Sequence, residues 1–224
     1  MQDVTRQVKG MLSGVRIVLL GLGMLSVAAV TVAQSASAAE QNCSGHLIQV
    51  EQRLHIPSGL LLAIALVESG QDGEPQPYAI SVGNRSHFAQ DAHGALRLIQ
   101  DRNGGMRSNV YVGCMQLSLT HHHKNFKPVE RIVDPEANVL YAGKLLVRLH
   151  GEVGTWKAAV ARYNGASPQH AQAYLCRVWQ HLVEFDWKSA RMLESPRCQK
   201  TNVASIAPRT RRAFREAQVA STER

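Results

Sequence analysis

The chain of 224 residues is long enough for one or two domains, and its formal charge of +8 suits an anionic partner such as cell-wall polymer or membrane headgroups. Four cysteines without a Cys-x-x-Cys spacing disfavour a zinc knuckle or a thioredoxin-like redox motif. Charge alone does not choose the partner.

Residues 1–39 read as an export signal. Arg6, Lys9 and Arg16 stand against Asp3, an uncharged apolar run follows from Ile17 to Ala33, and Ala36-Ser37-Ala38-Ala39 supplies an Ala-x-Ala site. Cleavage is expected after Ala38 or Ala39. An uncleaved anchor is the alternative, since the run is nearly long enough to span a bilayer; its interior glycines and small-residue end favour cleavage. The polar Glu40-Gln41-Asn42 argues against a lipid anchor at Cys43. Export to the periplasm disfavours nucleic acid as a partner and leaves membrane contact to the signal segment. It also makes disulfides the natural reading of Cys43, Cys114, Cys176 and Cys198.

The mature chain reads as mainly helical. Leu47, Val50 and Leu54 give a helix over about 44–55 with Ser44 as its cap. Pro57-Ser58 opens a second helix through Ser69, stopped by Gly70. Its centre, residues 60–67, is apolar on every face and too short to cross a membrane, so it is a buried core helix. Its last turn holds one acid, Glu68. Residues 71–112 are rich in Gly, Pro and Asn, with short strands expected at 77–81 and 109–112 and a helix between 92 and 102. Asp134-Pro135 starts a helix to about His150, Thr155 caps the next, and Ser167-Pro168 opens a third with Ala171, Tyr174, Leu175, Val178 and Leu182 on one stripe. The fold class is therefore α+β, predominantly α, with a small irregular β lobe. The domain is expected over 40–194. Residues 195–224 read as a basic tail, flexible or weakly helical, with six basic residues against two acids from 199 onward.

Three segments carry chemistry: Glu68-Ser69, Gly113-Cys114-Met115-Gln116, and Ala161-Arg162-Tyr163-Asn164 within 159–164. A carboxyl at the end of a buried helix loses hydration, which raises its pKa. Glycosidic cleavage needs such an acid, still protonated near neutral pH. Ser69 is placed to bond the carboxyl or the substrate, or simply to end the helix. Gly113 permits close backbone approach, and Met115 is equally well explained by core packing. Tyr163 lies on an apolar stripe. His121-His122-His123 invites a metal, but three consecutive residues converge poorly on one ion, and a polar loop is preferred.

In order and spacing the three segments resemble the Glu-Ser, Gly-x-Met-Gln and Ala-x-x-Tyr-Asn motifs of the soluble lytic transglycosylase family, close to the small members associated with secretion and conjugation systems. The resemblance covers about 43–179. It departs from the family at Gly165-Ala166, where the family has Ala-Gly. It implies a lysozyme-like fold and a monomer acting on peptidoglycan glycan strands without metal or organic cofactor, with Glu68 as catalytic acid and base. It further implies that Met115 and Gln116 line the sugar cleft, that the Tyr163 hydroxyl points at Glu68 or the reacting sugar, and that Asn164 shapes the cleft. A disulfide is preferred to catalysis at Cys114. Four cysteines allow three pairings and the sequence does not decide among them. The pairing taken as the expectation joins Cys43, at the first helix, to Cys114, beside the proposed site, and Cys176 to Cys198 around a short loop.

A glycosidase ordinarily needs two carboxylates, and here one acid stands out. The family's solution is a transglycosylase that closes a 1,6-anhydro ring on N-acetylmuramic acid. The alternatives are a muramidase of the same fold, with Asp72 as second carboxylate, and a non-catalytic wall-binding or assembly protein.

Overall fold

The computed structural model describes residues 42–165, 168–198 and 203–222. The export signal at 1–39, the Ser167 helix start and residues 199–202 and 223–224 of the tail lie outside them.

The fold grows around one helix. α1 spans Cys43–Leu54 and α2 spans Leu60–Ser69. Residues 60–65 of α2 are wholly buried, and each large apolar side chain so buried contributes about 1.5–3 kcal/mol. α2 packs against α1 and, most extensively, against α7 (Pro168–Phe185). α1 in turn packs along α5 (Pro135–Val153), which is followed by α6 (Trp156–Asn164). A short α8 (Trp187–Ala190) follows α7.

The helix boundaries follow their caps. Asn42, not Ser44, caps α1 by accepting from the Ser44 N–H, and Ser44 itself is buried. Asp134 and Thr155 cap α5 and α6 by accepting from Ala137 N–H at 2.7 Å and Ala158 N–H at 3.2 Å. α5 runs past Gly151 and ends at the left-handed Gly154. The start of α2 is different. Gly59 is left-handed and caps nothing; instead the buried Glu51 of α1 accepts from the N–H groups of Gly59, Leu61 and Leu62 at 2.8, 2.7 and 3.1 Å. The helix therefore begins at Leu60 rather than at Pro57, with its orphan donors satisfied by an acid from the preceding helix.

The β lobe lies between α2 and α5. A two-stranded hairpin, β1 (Gly70–Gln71) and β2 (Glu74–Pro75), continues directly from α2. A four-stranded antiparallel sheet follows in the order β4-β3-β5-β6, made of β3 (Ala79–Val82), β4 (Arg85–Phe88), β5 (Val110–Val112) and β6 (Leu117–Ser118). Ile80 pairs with Val112 and Val112 with Leu117, fixing the register. α3 (Ala92–Ile99) is shorter than its sequence-based bounds, and α4 (Leu119–His122) leads into short 3-10 turns.

One expectation is corrected. Much of the region read as a flexible or weakly helical tail is an ordered helix, α9 (Pro208–Thr222), packed against α1. Ile206, Thr210 and Phe214 are buried, and the Phe214 ring lies 5.0 Å from that of Phe185. Phe214 also lies at the α2 start, within 3.5 Å of where a Cβ on Gly59 would stand. Thr210 and Phe214 on α9, with Ile206 just before it, hold this basic segment against the domain.

Candidate active site

Glu68 occupies the last turn of α2, half-buried, and three segments distant in sequence meet there. The first is α7: Tyr174, almost fully buried, donates its hydroxyl proton to Glu68 Oε1 at 2.6 Å. Burial pushes the Glu68 carboxyl up to about 7, against smaller lowering effects from the Tyr174 hydrogen bond and the Arg177 guanidinium. Burial, then the charge of Glu68, also pushes the Tyr174 and Tyr163 hydroxyls well above the ordinary tyrosine range, so both remain protonated donors.

The second segment is the 113–116 loop. Gly113 is left-handed, and a Cβ there would stand 2.6 Å from the Asn138 side chain, so only glycine fits. Asn138, wholly buried on α5, accepts from Met115 N–H at 3.1 Å and donates to the carbonyls of Val112 and Ile132 at 2.9 and 3.0 Å. Ser69, directly after Glu68, donates to the Cys114 carbonyl at 2.7 Å. The third segment is α6, whose Tyr163 donates to the Met115 carbonyl at 2.8 Å. Disulfides join Cys43 to Cys114 and Cys176 to Cys198, the first tying α1 to this loop.

This geometry changes several roles. The Ser69 hydroxyl binds the loop backbone rather than the Glu68 carboxyl. The Met115 side chain is wholly buried and lines no cleft surface, so core packing explains it. Gln116 turns its amide inward: Nε2 donates to the carbonyls of Ala79 and Gly113, both at 3.0 Å, and Oε1 accepts from Ser81 at 2.7 Å. Its left-handed backbone aims the side chain back over the loop, so its two donors are spent within the protein. Tyr163 bonds the loop rather than Glu68, although it lies close enough to feel that charge. Asn164 is half-buried at the end of α6.

Tyr174 and Arg177 were missed as site residues. Tyr174 sits on the apolar stripe of α7, where packing accounts for its ring, and nothing local marks its hydroxyl. Asn138 and Glu51 are likewise unmarked in the sequence, since their partners are backbone groups of other segments, which carry no side-chain signal.

The two acids after Glu68 differ in setting. Asp72 is exposed at the hairpin turn with φ of 52°. Glu74 is buried and ion-paired to Arg209 of α9. His122 lies 3.0 Å from the Tyr141 hydroxyl and His123 from the Leu119 carbonyl. Among the described residues no group of three or more His, Cys, Asp or Glu is arranged to hold a metal ion. No helix among them is long and apolar enough to cross a membrane.

In a comparison with protein families, residues 46–175 match the family described as Transglycosylase SLT domain. No curated protein and no solved structure matches the chain. The match takes in Glu68, the 113–116 loop, Tyr163 and Tyr174, and it covers more than half of the chain.

Proposed function

We propose, for a chain that belongs to the transglycosylase SLT domain family, that this peptidoglycan-acting protein is a lytic transglycosylase with Glu68 as its one catalytic carboxyl. The observation that carries the reading is the bond from Tyr174 to a desolvated Glu68, whose pKa of about 7 leaves a large protonated fraction at neutral pH. Glu68 donates its proton to the oxygen between N-acetylmuramic acid and N-acetylglucosamine. The substrate's N-acetyl group stabilises the cationic centre at C1. The Glu68 carboxylate then accepts the proton of the muramoyl C6 hydroxyl as that oxygen closes on C1, giving a 1,6-anhydro sugar without consuming water.

The setting of the neighbouring acids supports a single-carboxyl mechanism. Glu74 is committed to Arg209, and Asp72 points from an exposed turn. A muramidase working by the usual pair of carboxylates would draw its second from acids such as these. The basic mature chain and the export signal expected at 1–39 support action on glycan strands in the periplasm. The likeness to small transglycosylases of secretion and conjugation systems supports local wall opening for such an apparatus.

Mass spectrometry of digested peptidoglycan tests the proposal. Anhydro ends are expected, with cleavage falling about 100-fold or more in Glu68→Gln. Reducing ends, one water heavier, would make the protein a muramidase. Undiminished cleavage by the Glu68→Gln variant would remove Glu68 from the chemistry, and no cleavage by the wild type would favour a wall-binding or assembly role.

A further inference from the structure

We infer that Arg177 recognises a substrate carboxylate, carried by the muramoyl residue being cleaved or by its peptide. The inference rests on the transglycosylase reading and extends it to the choice of substrate.

Arg177 lies three residues after Tyr174 on α7, so the two side chains share a face of the helix. Its guanidinium carbon is 5.9 Å from the centre of the Tyr174 ring, while the hydroxyl of that ring holds Glu68. The cation therefore stands beside the proposed acid. It is exposed although Cys176 and Val178 on either side are buried.

Four other described arginines meet carboxylates, Arg148 and Arg162 at Glu152, Arg209 at Glu74 and Arg211 at Glu184; what sets Arg177 apart from the rest is its place beside Tyr174 and Glu68. Arg177 has no carboxylate within ion-pair distance among those residues. Its charge reaches Glu68, which is bonded to Tyr174 and must be protonated to act. A cation kept there works against that protonated form, so its place at the site calls for another anion.

Peptidoglycan supplies one. Each muramoyl residue carries a lactyl ether whose carboxyl is either free or amide-linked to a peptide bearing further carboxylates. A guanidinium meets a carboxylate through two parallel hydrogen bonds, and contact with an aromatic face restricts its motion before the ligand arrives. An arriving carboxylate also offsets the field of Arg177 on Glu68, favouring the protonated acid when the glycosidic oxygen is in place.

The test uses the full mature protein and three substrates. These are native sacculi, glycan stripped of peptide by an amidase so that the lactyl carboxylate is free, and sacculi whose carboxyls have been converted to methylamides. Arg177→Ala is expected to raise KM on native sacculi about tenfold, with Arg177→Lys between it and the wild type. On methylamidated sacculi the three proteins should share one KM. A penalty lost on stripped glycan assigns the contact to the peptide carboxylates; one retained there shows that Arg177 also takes the lactyl carboxylate once its amide is cut. A change in kcat common to all substrates reports the effect on Glu68 and is read separately.

Cosedimentation of the Glu68→Gln protein with native and methylamidated sacculi, with and without Arg177→Ala, measures the same recognition without turnover. If the wild type cleaves nothing, the transglycosylase reading fails while this measurement still decides carboxylate recognition. An equal loss of binding on both kinds of sacculi, or no loss on native ones, overturns the inference.

Discussion

Tyr174 and Glu68 are 106 residues apart in sequence and joined by a hydrogen bond of 2.6 Å from the tyrosine hydroxyl to the carboxyl. The bond has two effects that pull in different directions. It orients the carboxyl at the end of α2, and it stabilises the charged form that a proton donor must avoid. Burial outweighs it, and the acid stays near 7.

Removing the bond separates the two effects. In Tyr174→Phe the charged form loses a donor, so the Glu68 pKa rises and the alkaline limb of the kcat/KM profile moves to higher pH. The freed carboxyl is less well aimed, and kcat should fall about 10- to 100-fold. Parallel pH–rate profiles of the two proteins check this; a limb moving to lower pH would contradict it.

What the sequence disclosed about this site has a physical pattern. Glu68 was legible because eight consecutive apolar residues, 60–67, leave a lone acid at the end of a helix that has to be buried. Tyr174 was visible as a core residue but not as a partner, because a tyrosine on an apolar stripe gives no sign of where its hydroxyl goes. The Gly113–Gln116 motif was found, yet a motif names residues without their directions. The left-handed backbone at Gln116 turns inward an amide that was expected to face sugar. In the C-terminal region the helix docks through Phe214 and the polar Thr210, with Ile206 just before it, too few apolar residues among the arginines to show a stripe.

Glu51 shows how a buried acid with no catalytic claim supports the site. Burial pushes its carboxyl up to about 8, against the lowering effect of the three N–H groups at the start of α2. Because the folded value lies above the ordinary 4.5, its proton-linked stabilisation is full below about pH 4.5 and is lost as the pH rises through 8. Glu51→Gln keeps one acceptor but turns a donor toward other donors, and should cost about 1–3 kcal/mol at pH 5. The stability gap between wild type and variant should narrow at pH 7 and again at pH 9. Denaturant titrations at the three pH values measure it, and a widening gap would contradict the assignment.

Gln116 offers a direct contrast between a substrate contact and a loop brace. Gln116→Glu sets a carboxylate against the carbonyls of Ala79 and Gly113, which now receive the two amide donors. The variant should lose about 3 kcal/mol of stability, while the KM of its folded fraction stays within about twofold of the wild type. A residue contacting sugar would behave in the opposite way, raising KM with little change in the unfolding midpoint. Thermal unfolding and initial-rate measurements on one preparation distinguish the two.

Phe214 tests whether the C-terminal helix belongs to the fold that carries Glu68. Its ring packs on Phe185 of α7 and stands over the Gly59 turn from which α2 departs. The same segment reaches the hairpin after Glu68, where Ala207 N–H donates to the Gly73 carbonyl at 3.0 Å and Arg209 pairs with Glu74. Phe214→Ala removes a buried aromatic ring from the meeting point of α2, α7 and α9, at a cost of about 3–5 kcal/mol. Arg212→Ala, on the exposed side of α9, should stay within about 0.5 kcal/mol of the wild type and serves as the control. A tail lying free of the domain would leave both variants equally stable. Denaturation midpoints, read with the protease sensitivity of residues 203–222, decide between these outcomes. A large loss confined to Phe214→Ala would mean that truncation there disturbs both ends of the helix bearing the proposed acid.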